Sequence, residues 1–122
     1  MIFDDDSDIL EICSIILKQK NFEVQTETTC KDILDKIKQY EPDVILMDNK
    51  IPDEGGIAST KKIKADPATA STPVIFFSAN TNVVALSKEA TAEYYLQKPF
   101  DIDELEMLVK EILSKDLTQA TV

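Results

Sequence analysis

Asp4, Asp5 and Asp48 lie far apart in the chain, yet each follows a short apolar run of the kind that builds a β-strand. Asp4 and Asp5 close Ile2-Phe3, and Asp48 closes Val44-Ile45-Leu46-Met47. In an open parallel α/β sheet, residues just past the carboxyl ends of the strands line the ligand crevice. Three carboxylates gathered there repel one another unless a hard cation sits among them, and Mg²⁺ takes oxygen ligands of this type. Two later apolar runs end in Ser78 and Lys98, a hydroxyl and an ammonium. An anionic nucleophile, a divalent cation and fixed donors for equatorial oxygens are what phosphoryl transfer to a carboxylate requires.

Asp48 is the expected nucleophile, because its strand reads as the most central and buried. Asp5 is expected to hold Mg²⁺ directly and Asp4 through water. Ser78 would donate a hydrogen bond to the phosphoryl group and Lys98 would pair with it as a point charge. Ala79 is small and leaves room for a large donor. Each residue alone has a plainer reading: a solvated helix start for the acidic run, a turn for Asp48, a loop hydroxyl for Ser78, a surface lysine for Lys98. The acidic run also imitates a calcium loop. An EF-hand needs glycine at its sixth position and glutamate at its twelfth, and this chain has Ile9 and Ile15 there. The conjunction of five residues at one end of successive strands carries the argument.

The elements that must position them follow from periodicity. Ser7 and Asp8 offer capping oxygens, Asp8 and Glu11 have capping-box spacing, and Ile9, Ile12, Cys13, Ile16 and Leu17 form a helical stripe ended by Asn21. Phe22-Val24-Thr26 alternates like an edge strand. Thr29 and Asp32 suggest a second cap before Ile33, Leu34 and Ile37, and Pro42 stops that helix. A loop from Pro52 to Gly56 leads to a helix over Ile57 to Lys64, which Pro67 ends. Val74-Ile75-Phe76-Phe77 is a buried strand, Val83 to Ala90 a weaker helix, and Tyr94-Tyr95-Leu96 a short strand. The last helix starts at Asp101, with Glu104 at capping-box spacing, and residues 116–122 are expected to fray. Five βα units imply a parallel sheet with helices on both faces.

The totals agree with one domain over residues 1–122. Of 122 residues, 43% are hydrophobic and 30% charged, with two glycines and five prolines. Net charge is −10, and all 13 basic residues are lysine, so neither nucleic acid nor an anionic membrane is an expected partner. Cys13 and Cys30 form no CxxC pair and read as small buried hydrophobes, within helices, in a reducing compartment. No signal peptide or bilayer-spanning run is read, so the expected location is cytoplasmic.

These motifs resemble the receiver domain of two-component response regulators, the family of the bacterial chemotaxis regulator. The resemblance is carried by Phe3-Asp4-Asp5-Asp6, Pro42-Asp43-Val44-Ile45-Leu46-Met47-Asp48, Ile51-Pro52 with Gly56, Ser78-Ala79, and Tyr95-Leu96-Gln97-Lys98-Pro99-Phe100. It implies a flavodoxin-like, doubly wound five-stranded parallel sheet in the order 2-1-3-4-5. It implies that Asp48 takes a phosphoryl group from a phosphohistidine of a histidine kinase or phosphotransfer protein. In receivers the backbone carbonyl two residues after the phosphorylated aspartate also binds the metal, here Lys50, so the implied Mg²⁺ set is Asp4, Asp5, Asp48 and Lys50. The family's switch pairs Ser78 with an aromatic ring, here Tyr95, that turns inward on activation, and the Lys98-Pro99 bond is expected to be cis.

The chain departs from the family in a short first strand, in Lys50 as a second ammonium beside the site, in a slightly short segment between Ser78 and Lys98, and in Thr91 where glycine is common. The leading expectation is a phosphorylation switch that changes affinity for an output protein. The alternative is a small phosphatase of the haloacid-dehalogenase type, with Asp4 as nucleophile and Asp6 as acid. That reading needs a further acidic pair beyond Lys98, and Asp101 and Asp103 look like helix-capping residues. A receiver fold used only for protein binding would have no use for the intact Asp48, Ser78 and Lys98.

Overall fold

The computed structural model describes residues 1–121, with side chains through residue 115. Its elements alternate in chain order: β1 (Ile2–Phe3), α1 (Ser7–Gln19), β2 (Thr26–Glu27), α2 (Ile33–Tyr40), β3 (Ile45–Asp48), α3 (Gly55–Ala65), β4 (Val74–Ser78), α4 (Val83–Ala90), β5 (Tyr94–Gln97) and α5 (Ile102–Thr121). The sheet is parallel throughout, in the order β2-β1-β3-β4-β5. The doubly wound fold expected from the sequence is therefore present.

Side chains alternate across a pleated strand, and this decides the layers. Ile2, Leu46, Ile75, Phe77 and Leu96 share one core with Leu10, Cys13 and Leu17 of α1 and Leu105, Val109 and Ile112 of α5. Phe3, Ile45, Met47 and Val74 face the other way, onto Ile33 and Ile37 of α2 and Ile63 of α3. Phe76 packs on Val83 and Ala90 beneath α4. Strands covered on both faces need continuous apolar sequence, which is what β3 and β4 have.

Several local expectations shift. Helix α1 starts at Ser7, and its cap is Asp6, whose extended backbone lets Oδ1 accept from the Asp8 and Ile9 N–H groups at 3.0 and 3.4 Å. Asp8 thus lies inside the first turn, where the capping box with Glu11 has no place. The stripe of α1 is narrower than its sequence suggests, since Ile12 is 55% exposed while Leu10 is buried. β2 covers only Thr26–Glu27; β1 pairs with it no earlier than Ile2, so Phe22 and Val24 pack on the core without a ladder. Before α2, Thr29 Oγ1 accepts from Lys31 N–H at 3.3 Å, while Asp32 takes a left-handed backbone, φ 55°, and its side chain caps nothing. Cys30 sits in that loop rather than in a helix, its N–H donating to the Pro52 carbonyl. Short as it is, β1 pairs on both sides, with Leu46 N–H donating to the Met1 carbonyl at 2.9 Å. The fray expected over 116–122 falls on residues whose side chains lie outside the description.

At the far end of the sheet from the aspartates, Lys64 ties loops to strands. Its Nζ donates to the Ala70 and Thr72 carbonyls at 3.1 and 2.6 Å and pairs with Glu93 at 2.6 Å. Glu93 in turn accepts the Val74 N–H at 2.8 Å.

Thr91 closes α4 with φ 64°, in the left-handed region, and is exposed. A β-branched side chain there is strained, and glycine is not. Thr91→Gly should therefore stabilise the protein by about 1 kcal/mol, seen as a melting temperature about 4 °C higher. An unchanged or lower value would show that the turn is unstrained.

Candidate functional site

Parallel register brings the acidic residues together. Phe3 lies beside Met47, and each is followed by an aspartate, so Asp4 and Asp48 emerge side by side at the carboxyl edge of the sheet. Ligand oxygens of Asp4, Asp5 and Asp48 all lie within 4.8 Å of one another. The acidic run divides its tasks. Asp4 is 1% exposed and its Oδ1 accepts the Asp6 N–H at 2.9 Å. Asp5 is open to solvent, and Asp6 caps the helix.

Lys98 reaches into this cluster from the end of β5, donating to Asp4 Oδ2 at 2.6 Å and to Asp48 Oδ1 at 3.1 Å. It follows β5 with a cis bond to Pro99. Ser78 ends β4, is buried, and its Oγ accepts the Asn80 N–H at 3.0 Å. Asp4, Asp5, Asp6, Asp48, Lys50, Ser78, Ala79, Asn80 and Lys98 line one cavity of about 370 Å³. The structure thus gathers every sequence-predicted site residue except Tyr95, which is 51% exposed on β5. Sequence reasoning missed Asn80, which carries no chemical signal beyond its place two residues after Ser78. It also missed Phe77, hidden in an apolar run.

Beneath the site, Gly56 lets α3 approach the end of β3. A Cβ there would stand 2.1 Å from the Asp48 carbonyl oxygen, and the Gly56 N–H donates to the Asn49 carbonyl at 2.9 Å. Any larger residue must displace the backbone that carries Asp48. Beside the acidic cavity runs an apolar groove of about 470 Å³, lined by Ile9, Ile12, Ile16, Phe100 and Ile102 and sharing Ala79 and Lys98 with it.

Charge crowding shifts the acid–base balance of the cluster. Burial first, then the Asp4 charge, raises the Asp48 pKa above its ordinary value, although Lys98 opposes both. Burial pulls Lys98 down, but its bonds to Asp4 and Asp48 and their charges outweigh this and hold its pKa above the usual lysine value. The donor set suits a hard cation. Two oxygens on opposite sides of Mg²⁺ stand about 4.2 Å apart, a separation compatible with carboxylate oxygens that all lie within 4.8 Å of one another, and a cation would offset the crowding.

The raised Asp48 pKa has a definite sign in stability. The native state holds its proton to higher pH than the unfolded chain, whose carboxyl titrates near 3.8, so this contribution is present below that pH. It is lost as pH rises through the higher native value. Asp48→Asn should accordingly leave stability unchanged at pH 3.5 and, without metal, raise it at pH 7 by about 1 kcal/mol. Melting curves at both pH values check this, and a less stable variant at pH 7 would contradict it. Gly56→Ala should destabilise by at least about 2 kcal/mol in the same assay, because backbone must move.

A family model for the response regulator receiver domain matches residues 1–110. The DNA-binding response regulator MtrA of Mycolicibacterium paratuberculosis is 27% identical over 118 residues, covering 95% of this chain and 51% of MtrA. The response regulator ArlR of Staphylococcus aureus is 30% identical over 119 residues, covering 94% of this chain and 52% of ArlR. The chain spans about half the length of these curated relatives. The CheY-like response regulator receiver domain protein of Methanospirillum hungatei superposes with a TM-score of 0.85 at 28% identity, covering 97% of this chain and 94% of the other. Receiver domains are signalling domains rather than classical enzymes, and among the described residues no helix is long and apolar enough to cross a membrane. Sheet order, acidic cluster and sequence likeness agree: this chain belongs to the receiver domain family of two-component response regulators.

Proposed function

We propose that residues 1–122 act as a phosphorylation-dependent switch, with Asp48 as phosphoacceptor and Mg²⁺ as cofactor. The observation that carries this reading is the meeting of Asp48 with Asp4 and Asp5 within 4.8 Å and with Lys98 at 3.1 Å, in an open cavity. A carboxylate oxygen of Asp48 attacks the phosphorus of a phosphohistidine. The phosphorus–nitrogen bond breaks, and its electron pair remains on the imidazole, which takes up a proton. Asp5, Asp48 and the Lys50 carbonyl would hold Mg²⁺, with Asp4 acting through water, and the ion would supply positive charge to offset that on the phosphoryl oxygens. The assignment of Asp4 fits its bonding, since both its oxygens already accept, from Asp6 N–H and from Lys98.

Lys98 then follows the new charge and pairs with the phosphoryl group as an ammonium. Ser78 Oγ accepts from Asn80, which leaves its own hydrogen to donate to the same group. That movement pulls the end of β4, and Tyr95, exposed before phosphorylation, turns inward. An output protein with different affinity for the two states reads the change. The phosphodonor is a cytoplasmic histidine kinase or phosphotransfer protein, and the apolar groove along Ile12, Phe100 and Ile102 gives it a surface beside Asp48. Neither nucleic acid nor membrane is a partner of this strongly acidic surface. The phosphatase alternative, with Asp4 as nucleophile, sits badly with an Asp4 that is buried and doubly bonded and an Asp6 committed to a helix cap.

Incubation with acetyl phosphate and Mg²⁺ should add about 80 Da to the wild type and nothing to Asp48→Asn. An adduct on Asp4 would restore the phosphatase reading. Asp5→Ala should abolish metal-dependent labelling, with equal labelling counting against its role as a metal ligand, and Lys98→Ala should weaken the phosphorylation-dependent switching response. Lys50→Ala should change the lifetime of phospho-Asp48 by about threefold or more, because Lys50 lines the same cavity and its ammonium would compete for the phosphoryl oxygens. An unaltered decay rate would remove Lys50 from the mechanism.

A further inference from the structure

We infer that Phe77 is a positioning residue for Lys98: its ring face holds the ammonium in the one place from which it reaches both Asp4 and Asp48. The inference rests on the switch reading above but draws on different observations. Strand order sets the problem. Lys98 leaves β5, whereas Asp48 and Asp4 end β3 and precede the bend after β1, and β4 lies between β5 and β3. Neighbouring strands are about 4.8 Å apart, so the lysine must cross the face of β4 to arrive.

The residue it crosses is fixed by register. Phe77 pairs with Asp48 on one side and with Leu96 on the other, and Lys98, two residues after Leu96, leaves from the same face of the sheet. Lys98 Nζ lies 4.5 Å from the centroid of the Phe77 ring. That ring is fully buried, and its own orientation is set by an edge contact with Phe100, centroids 6.3 Å apart at 67°. A cation over an aromatic face is attracted by the ring quadrupole, most strongly where water is excluded. An aliphatic residue at this position would supply equal apolar bulk and no such attraction. Phe77 therefore gives a half-buried ammonium a third favourable contact, one whose strength does not depend on the charge of the carboxylates.

The test separates shape from charge distribution. Pentafluorophenylalanine at position 77 keeps the ring's outline and reverses its quadrupole, Phe77→Leu removes the ring, and Phe77→Tyr preserves both properties. Two readouts are taken: the NMR order parameter of the Lys98 ammonium in the metal-free, unphosphorylated protein, and the rate of Asp48 labelling by acetyl phosphate with Mg²⁺. The fluorinated and leucine variants should show a more mobile ammonium and labelling slowed about three- to thirtyfold, and the tyrosine variant should match wild type in both. A fluorinated variant indistinguishable from wild type overturns the inference, and it remains informative even if Phe77→Leu fails to fold. The ammonium measurement needs no phosphoryl transfer. Absent labelling of wild-type Asp48 would thus count against the switch reading alone, and normal labelling with an unmoved ammonium would count against Phe77 alone.

Discussion

One ammonium shared between two carboxylates is the constraint around which this end of the molecule is built. Asp4 and Asp48 cannot avoid each other, because parallel pairing of β1 with β3 sets them side by side. Without an opposing charge their repulsion would fall on strand ends whose backbone is held by neighbours on both sides. Lys98 answers that repulsion at 2.6 and 3.1 Å. It remains a costly arrangement, since burial and the Asp4 charge keep the Asp48 pKa above its ordinary value despite Lys98. A site left under-neutralised in this way favours any ligand that brings positive charge or rearranges the negative charge.

The fold supplies rigidity where that balance needs it. β3 and β4 are covered by helices on both faces, so the end of β3 can retreat in neither direction. Gly56 closes the gap below it, with α3 pressed to the Asp48 carbonyl. The acidic run before α1 serves the same end. Asp6 spends its side chain on the helix terminus, and its N–H steadies Asp4, leaving Asp5 free in solvent. Three adjacent residues of one type thus acquire three unlike environments, set by the direction in which the chain turns.

Much of this was legible in the sequence, for a physical reason. Strands buried on both faces demand unbroken apolar runs, so β3 and β4 announced themselves, and their last residues marked Asp48 and Ser78. What escaped depended on three-dimensional neighbours. Asp6 and Asp8 are equally good caps by type, and only the backbone turn chose Asp6. Phe22-Val24-Thr26 has the alternation of a strand, but a ladder needs a partner, and β1 meets β2 only from Ile2 onward. Ile12 looks like a core residue on helical periodicity, yet the stripe through Leu10, Cys13 and Leu17 is the one that meets the sheet. Phe77 could be read as buried, though nothing in its own sequence context says that a lysine 21 positions later lies across its ring.

The bonds around Lys64 have a mechanical consequence. All three protons of its ammonium are committed, and through Glu93 they fasten the first residue of β4 to the turn that leads into β5. A beam bolted at one end and loaded at the other pivots instead of sliding. Force applied at Ser78 therefore swings the tips of the two strands and leaves their roots still, so displacement grows along β4 and β5 and is greatest where the loops meet solvent.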